Sequence, residues 1–293
     1  MAAAKPAVTV PLSERAPAKV NLSLRVLGRR ADGYHELESL VAFADVADTL
    51  SLTPGAALAL DVEGPYAAAC GDAADNLVWR AAQALAVCIP GGRLGGFHLD
   101  KQLPAAAGVG GGSADAAAAL RLVARANGLN PGDPRLREAA LALGADVSVC
   151  LDPVARMMRG IGHDLSPALT LPPLAAVLVN PGVAVSTREV FSRLALRPER
   201  PASADAVPTA LPALFAWLET RPNDLEAPAR ALAPAIGAVL DALRAIPDAR
   251  LARMSGSGAT CFALFTSMAA AQTAARALTR DHPLWWVRAT ALR

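Results

Sequence analysis

Residues 104–115 constrain this chain more than any other stretch: Pro104-Ala105-Ala106-Ala107-Gly108-Val109-Gly110-Gly111-Gly112-Ser113-Ala114-Asp115. Four glycines fall within the five positions 108–112. They follow a strand-like Phe97-His98-Leu99-Asp100 and precede an alanine-rich segment that predicts a helix from 113 to 126. Glycine admits positive φ, so consecutive N–H groups can converge on one point. The following helix adds free N–H groups and the positive end of its dipole, with Ser113 available as N-cap. Such a loop is a cradle for phosphate. It has no lysine between Gly112 and Ser113, so it is not a Walker loop. Ser113 stands where a dinucleotide fingerprint needs its third glycine. The bland alternative is a flexible linker, which rarely runs straight into a strong helix.

The remaining sequence predicts α+β architecture. Alternating apolar positions mark strands at 20–26, 37–45, 49–52 and 58–62, with a tight turn at Asp32-Gly33. Asp75-Asn76 caps a helix to about 87, and a helix at 134–143 ends at Gly144. A proline-rich passage at 166–173 separates two halves, placed at 1–163 and 164–293. The second half predicts a strand at 175–179, a turn at Asn180-Pro181-Gly182 and a helix from Thr187. A loop at 198–208 and helices at 211–220 and 225–245 follow. A Ser255-Gly256-Ser257-Gly258 turn then leads to a strand at 261–265, a helix at 269–279 and a last strand holding Trp285-Trp286. Strands and helices in runs, without strict alternation, argue two lobes with a site in the cleft between them.

With 28 basic and 26 acidic side chains, the net charge is +2. That balance speaks against general nucleic-acid binding, and no apolar run reaches a membrane span. The first six residues, Met-Ala-Ala-Ala-Lys-Pro, carry no apolar core of a secretion signal. A soluble cytoplasmic protein is expected. Cys70, Cys88, Cys150 and Cys261 are widely spaced, which reads as reduced buried thiols rather than a zinc site.

Three other segments carry chemistry. Ala16-Pro17-Ala18-Lys19-Val20-Asn21-Leu22 puts a lysine on an apolar strand; Leu143-Gly144-Ala145-Asp146-Val147 puts a lone carboxylate after a helix-ending glycine. Residues 253–260 form a second small-residue loop. Singly, these read as an edge lysine, a turn aspartate and a hairpin. Together with 104–115, and in this order, they resemble the GHMP kinase superfamily. Arg30-Ala31-Asp32-Gly33-Tyr34-His35 and the triple glycine resemble its branch acting on a cytidylylated methylerythritol.

That resemblance, which spans residues 16 to about 265, implies the following. The fold is a two-lobed GHMP kinase fold, with an N-terminal lobe like ribosomal protein S5 domain 2 and an α/β C-terminal lobe. ATP is the phosphoryl donor, with Mg²⁺ held mainly by ATP and Ser113 the one local hydroxyl; no dedicated protein metal site is expected. Residues 104–114 bind its phosphates, and Asn76 and Lys101 its adenine. Lys19 and Asp146 are catalytic. Asn21, Tyr34, His35, Thr187 and Phe191 bind the small-molecule substrate, with Tyr34 and Phe191 on the two faces of cytosine and His35 hydrogen-bonding its edge. A monomer or weak homodimer is expected. The alternatives are a homoserine- or mevalonate-type kinase of the same superfamily, or a non-catalytic nucleotide-binding module.

Overall fold

The computed structural model describes residues 10–55, 57–195 and 200–293. Residues 1–6, on which the secretion-signal reading rests, lie outside the described residues, as do 198 and 199 of the expected loop.

The elements run β1 (Leu12–Asn21), β2 (Arg25–Arg29), β3 (His35–Gly55), β4 (Ala59–Glu63), α1 (Leu77–Val87), β5 (Leu94–Asp100), α2 (Gly111–Ala126), α3 (Pro134–Leu143), α4 (Ala145–Cys150), β6 (Arg156–Gly160) and β7 (Asp164–Leu165). The second half continues with β8 (Leu174–Asn180), α5 (Thr187–Ser192), α6 (Leu211–Glu219), α7 (Glu226–Leu232), α8 (Ala235–Arg244), β9 (Leu251–Met254), β10 (Cys261–Phe265), α9 (Met268–Asp281) and β11 (Trp286–Leu292). The class is α+β, as expected.

The strands join in the order β4-β5-β3-β11-β8-β10-β9, with β1, β2 and β6 also paired to β3. The last strand closes the two halves together. β11 pairs along its length with β8 and meets β3 at Leu292–Ala44, where Phe43 and Arg293 exchange backbone hydrogen bonds.

β8 shows why the sheet is so apolar. Leu174, Ala176 and Leu178 enter one core with Leu214, Trp217 and Phe262, while Ala175, Val177 and Val179 enter another against α8 and α9. A strand covered on both faces reads as one apolar run rather than an alternation. A third core packs α1–α4 on the first half of the sheet. There the buried alanines of α2, such as Ala116, Ala117 and Ala119, favour helix and let it lie close to its neighbours.

Four local expectations change. The strand expected at 20–26 is instead β1, which starts at Leu12, and β2, because residues 18–21 are buried on both faces and give no alternation to read. The strands expected at 37–45 and 49–52 are one strand, β3. Asp48, poor in strands by propensity, is tolerated inside it because Lys101 and two backbone N–H groups hold its carboxylate. The helix expected at 225–245 breaks at Ala233-Pro234, where proline lacks the N–H and clashes with the preceding turn. Finally, α2 begins at Gly111 with left-handed Gly110 as N-cap (φ +62°), so Ser113 lies inside the first turn and is not the cap.

Candidate active site

The loop at 104–112 is pinned from both halves of the chain. The Lys19 amide donates to the Val109 carbonyl (2.8 Å), and the Ser255 hydroxyl to the Gly108 carbonyl (2.9 Å). The Thr260 amide donates to the Ala107 carbonyl at 2.9 Å. These bonds use carbonyls, so the amides of Gly111, Gly112 and Ser113 in the first turn of α2 stay free to meet an anion. Gly108 (φ +75°) allows the close approach: a Cβ there would lie 2.5 Å from the Ser255 carbonyl oxygen. At Gly110 an added Cβ would sit 3.4 Å from the Lys19 stem, so loop and lysine are in contact.

Beside this loop Lys19 Nζ donates to Asp146 Oδ1 at 2.6 Å. The lysine side chain is 5% exposed and the aspartate 45%, so the ammonium is sealed in while the carboxylate faces the cleft. Asp146 sits in the first turn of α4, and the left-handed Gly144 (φ +149°) turns the chain out of α3 to start that helix. Asn21 reaches the same cleft. Its amide nitrogen donates to Ser39 Oγ (2.7 Å), while its carbonyl oxygen is buried without a partner. An orphaned acceptor lining a cleft is a place for a ligand hydroxyl.

The cleft has a volume of about 540 Å³ and is bordered by Lys19, Asn21, residues 106–108 and 110–113, Asp146, Thr187, Phe191 and Ser257. Sequence positions 19, 108, 146 and 187 thus converge. Thr187 Oγ1 lies 2.8 Å from Ser257 Oγ, tying α5 to the second small-residue loop. The structure stacks His35 on Phe191 (centroids 4.9 Å apart, planes at 29°) and leaves Tyr34 62% exposed. Burial, with Arg29 nearby, holds the His35 imidazole below its ordinary value, so it is neutral at neutral pH.

Two positions take on other work. Lys101, expected to reach adenine, is buried, with Nζ 2.5 Å from Asp48 and 2.6 Å from Asp115. A Cβ at Gly111 would meet that Nζ at 3.1 Å, so the ammonium lies directly beneath the start of α2. Two of the three ammonium donors are spent on these buried carboxylates, and burial pushes the Asp115 carboxyl up despite Lys101. Asn76 caps α1, accepting from the Val78 amide at 2.9 Å. Its neighbour Leu77 borders the cleft.

Reading the sequence missed Ser255 and Asn223. Ser255 is fully buried, accepts from the Asn21 amide (3.0 Å) and bridges to Gly108. Asn223 donates to the Met254 and Gly256 carbonyls at 2.8 Å each and braces the second loop. The Ser-Gly-Ser-Gly run was the signal for Ser255; nothing local marked Asn223. The four cysteines are free thiols; burial pushes Cys150 up to about 12 and raises Cys261 further, leaving both unreactive. Among the described residues no helix is long and apolar enough to cross a membrane.

Comparison with known proteins agrees with this geometry. The models for the GHMP kinases N terminal domain and GHMP kinases C terminal match residues 76–156 and 209–283. The fold is that of a GHMP kinase. The chain is 56% identical to the 4-diphosphocytidyl-2-C-methyl-D-erythritol kinase of Rhodopseudomonas palustris, over 97% of this chain and 99% of the relative. It is 57% identical to the protein of that name from Xanthobacter autotrophicus, over 95% and 98%. A crystal structure of 4-(cytidine 5'-diphospho)-2C-methyl-D-erythritol kinase superposes with a TM-score of 0.76 at 35% identity, over 96% and 99%. A homoserine kinase from Cytophaga hutchinsonii (TM-score 0.71, 21% identity, 98% and 96%) shares the fold. The chain belongs to the 4-diphosphocytidyl-2-C-methyl-D-erythritol kinase family.

Proposed function

We propose that this chain transfers the γ-phosphoryl group of ATP to the 2-hydroxyl of 4-(cytidine 5'-diphospho)-2-C-methyl-D-erythritol, in the non-mevalonate route to isoprenoid precursors. The observation that carries the site assignment is the 2.6 Å Lys19–Asp146 contact set against the glycine loop. Residues 1–163 act as the ATP-binding half, and 164–293 complete the substrate pocket.

Phosphoryl transfer needs positioning and charge stabilisation more than covalent help. Asp146 accepts the proton of the attacking hydroxyl. Lys19 holds that carboxylate in place and stabilises negative charge growing on the alcohol oxygen. The free amides of Gly111, Gly112 and Ser113 and the dipole of α2 hold the β- and γ-phosphates. Asn21 Oδ1 accepts from a substrate hydroxyl, and Thr187 lies at the same wall. Tyr34, His35 and Phe191 form the cytosine end, where flat rings suit a pyrimidine. Adenine lies near Asn76 and Leu77 at the start of α1.

Bound ATP supplies the transferred group, and its Mg²⁺ screens the phosphate charge. Among the described residues no cluster of three or more His, Cys, Asp or Glu is placed to hold a metal. An ion carried mainly by phosphate oxygens and water would find the Ser113 hydroxyl at the loop as a protein oxygen within reach.

The test is Asp146→Asn, assayed with the cytidylylated methylerythritol, mevalonate and homoserine. Turnover with the first should fall roughly 10²–10⁴-fold while ATP still protects the protein thermally. Unchanged turnover removes Asp146 as the base; turnover by wild type only on mevalonate or homoserine removes the substrate assignment.

A further inference from the structure

The cleft does not end at Phe191. A second cavity of about 900 Å³ continues past it, bordered by Arg29, Tyr34, His35, Ile161, Arg188 and Phe191. The two spaces share Leu37, Ile161, Thr187 and Phe191, so one channel runs from the glycine loop to Tyr34. A substrate with its alcohol at Asp146 and its base at His35 must carry its diphosphate along that shared wall.

The charges along the channel single out two residues. In the inner cleft the cation is Lys19, whose ammonium is bound to Asp146. In the outer cavity the acid is Asp32, held by the Arg30 side chain and the Tyr34 amide. The neighbouring arginines are occupied: Arg25 and Arg159 by Glu38, Arg30 by Asp32 and Glu36, Arg200 by Asp224. Arg29 and Arg188 alone line the outer cavity as cations, both exposed, and neither side chain has an ion-pair or hydrogen-bond partner among the described residues. Arg188 follows Thr187 directly, at the seam of the two spaces. Arg29 lies close enough to His35 for its charge to act on the imidazole.

We propose that Arg188 binds the substrate's diphosphate and that Arg29 adds to the field drawing this anion into the channel. A guanidinium presents a planar fork of donors that matches phosphate oxygens, and an unpaired one gives up no ion pair to do so. The assignment rests on the cytidine-diphosphate substrate of the proposed function and deepens it. Neither side chain touches the reacting atoms, so both act on binding and not on the chemical step.

The experiment measures calorimetric binding of cytidine, CMP and CDP, with ADP saturating the nucleotide site, to wild type, Arg188→Ala, Arg188→Lys and Arg29→Ala. Arg188→Ala should lose about tenfold in CDP affinity, the size of one charged hydrogen-bonded contact, and keep its cytidine affinity. Arg188→Lys should recover part of the loss. Arg29→Ala should weaken CDP binding less, with a difference that fades at high salt as exposed charges are screened. In turnover, Arg188→Ala should raise KM for the cytidylylated substrate and leave kcat and the ATP KM unchanged. Equal CDP affinity in wild type and Arg188→Ala, or equal losses for cytidine and CDP, overturns the inference. Wild type that binds none of the three overturns the substrate reading itself, and this inference with it.

Discussion

Replacing Gly108 with alanine tests whether the two small-residue loops must touch for the phosphate cradle to form. At Gly108 the backbone is left-handed (φ +75°), and the added Cβ would lie 2.5 Å from the Ser255 carbonyl oxygen, 2.8 Å from that of Gly258 and 2.9 Å from the Gly258 nitrogen. All three are backbone atoms, so no rotamer change can relieve the contact. The left-handed conformation costs about 1–2 kcal/mol for alanine, and forcing extra volume into a packed site about 1–3 kcal/mol more. The sum, about 2–5 kcal/mol, has two outlets. If the loops separate within the folded protein, the Ser255–Gly108 and Thr260–Ala107 bonds break. The ATP KM then rises roughly 30-fold or more, at about 1.4 kcal/mol per decade. If they stay together, Tm falls, by about 2–4 °C for each kcal/mol in a chain of this size class. Gly128→Ala is the control, since Gly128 has φ +69° but nothing within 4 Å of an added Cβ. It carries the conformational penalty alone, about 1–2 kcal/mol, at the end of α2 remote from the cradle. Steady-state kinetics in ATP and thermal melts on both variants decide the matter. If Gly108→Ala matches Gly128→Ala in ATP KM and in Tm, the loop-to-loop contact is not what shapes the cradle.

Two further outcomes are expected. Asn21→Ala removes the unpartnered buried acceptor and should raise KM for the alcohol substrate about tenfold, leaving the ATP KM as it was; steady-state titration of each substrate separates the two, and an equal rise in both contradicts the assignment. On the opposite edge of the sheet, His98 lies 3.0 Å from both Asp61 and Glu63, and hydrogen bonds to Glu63 and then Asp61 raise its pKa above the ordinary 6.5. A raised folded value means the stabilisation is complete below 6.5 and lost as pH climbs through the folded pKa. These groups are solvent-exposed, so the effect is small. The melting-temperature gap between wild type and His98→Gln should therefore be wider at pH 5.5 than at pH 8.5, and a gap independent of pH would show that the pair does not titrate in this way.

The legible parts of the site were those whose signal is local. The glycine run at 108–112 declares its backbone freedom by composition, and the alanines after it declare α2. Lys19 and Asp146 could be picked out by the short motifs around them. Lys101 shows the limit: its motif position pointed outward to a base, whereas the fold turns it inward between Asp48 and Asp115, on β3 and α2. The same contact explains the misread break in β3, because an aspartate is a poor strand residue until a buried partner satisfies it. Pro234 was a break visible in the sequence, outweighed in the reading by the apolar period on either side.

The residues alone determined that this chain carries a glycine-rich loop running into a helix, which elements flank it and which short segments hold ionisable groups, since glycine freedom, helix propensity and apolar period act within a few neighbours. Only the tertiary structure decided that Lys19 and Asp146, 127 positions apart, meet at 2.6 Å. It also decided that Ser255 reaches Gly108 across 147 positions, and that the last strand seams the two halves. Those outcomes depend on sheet faces buried from both sides, where packing and the pairing of buried charge select partners that no local pattern can specify.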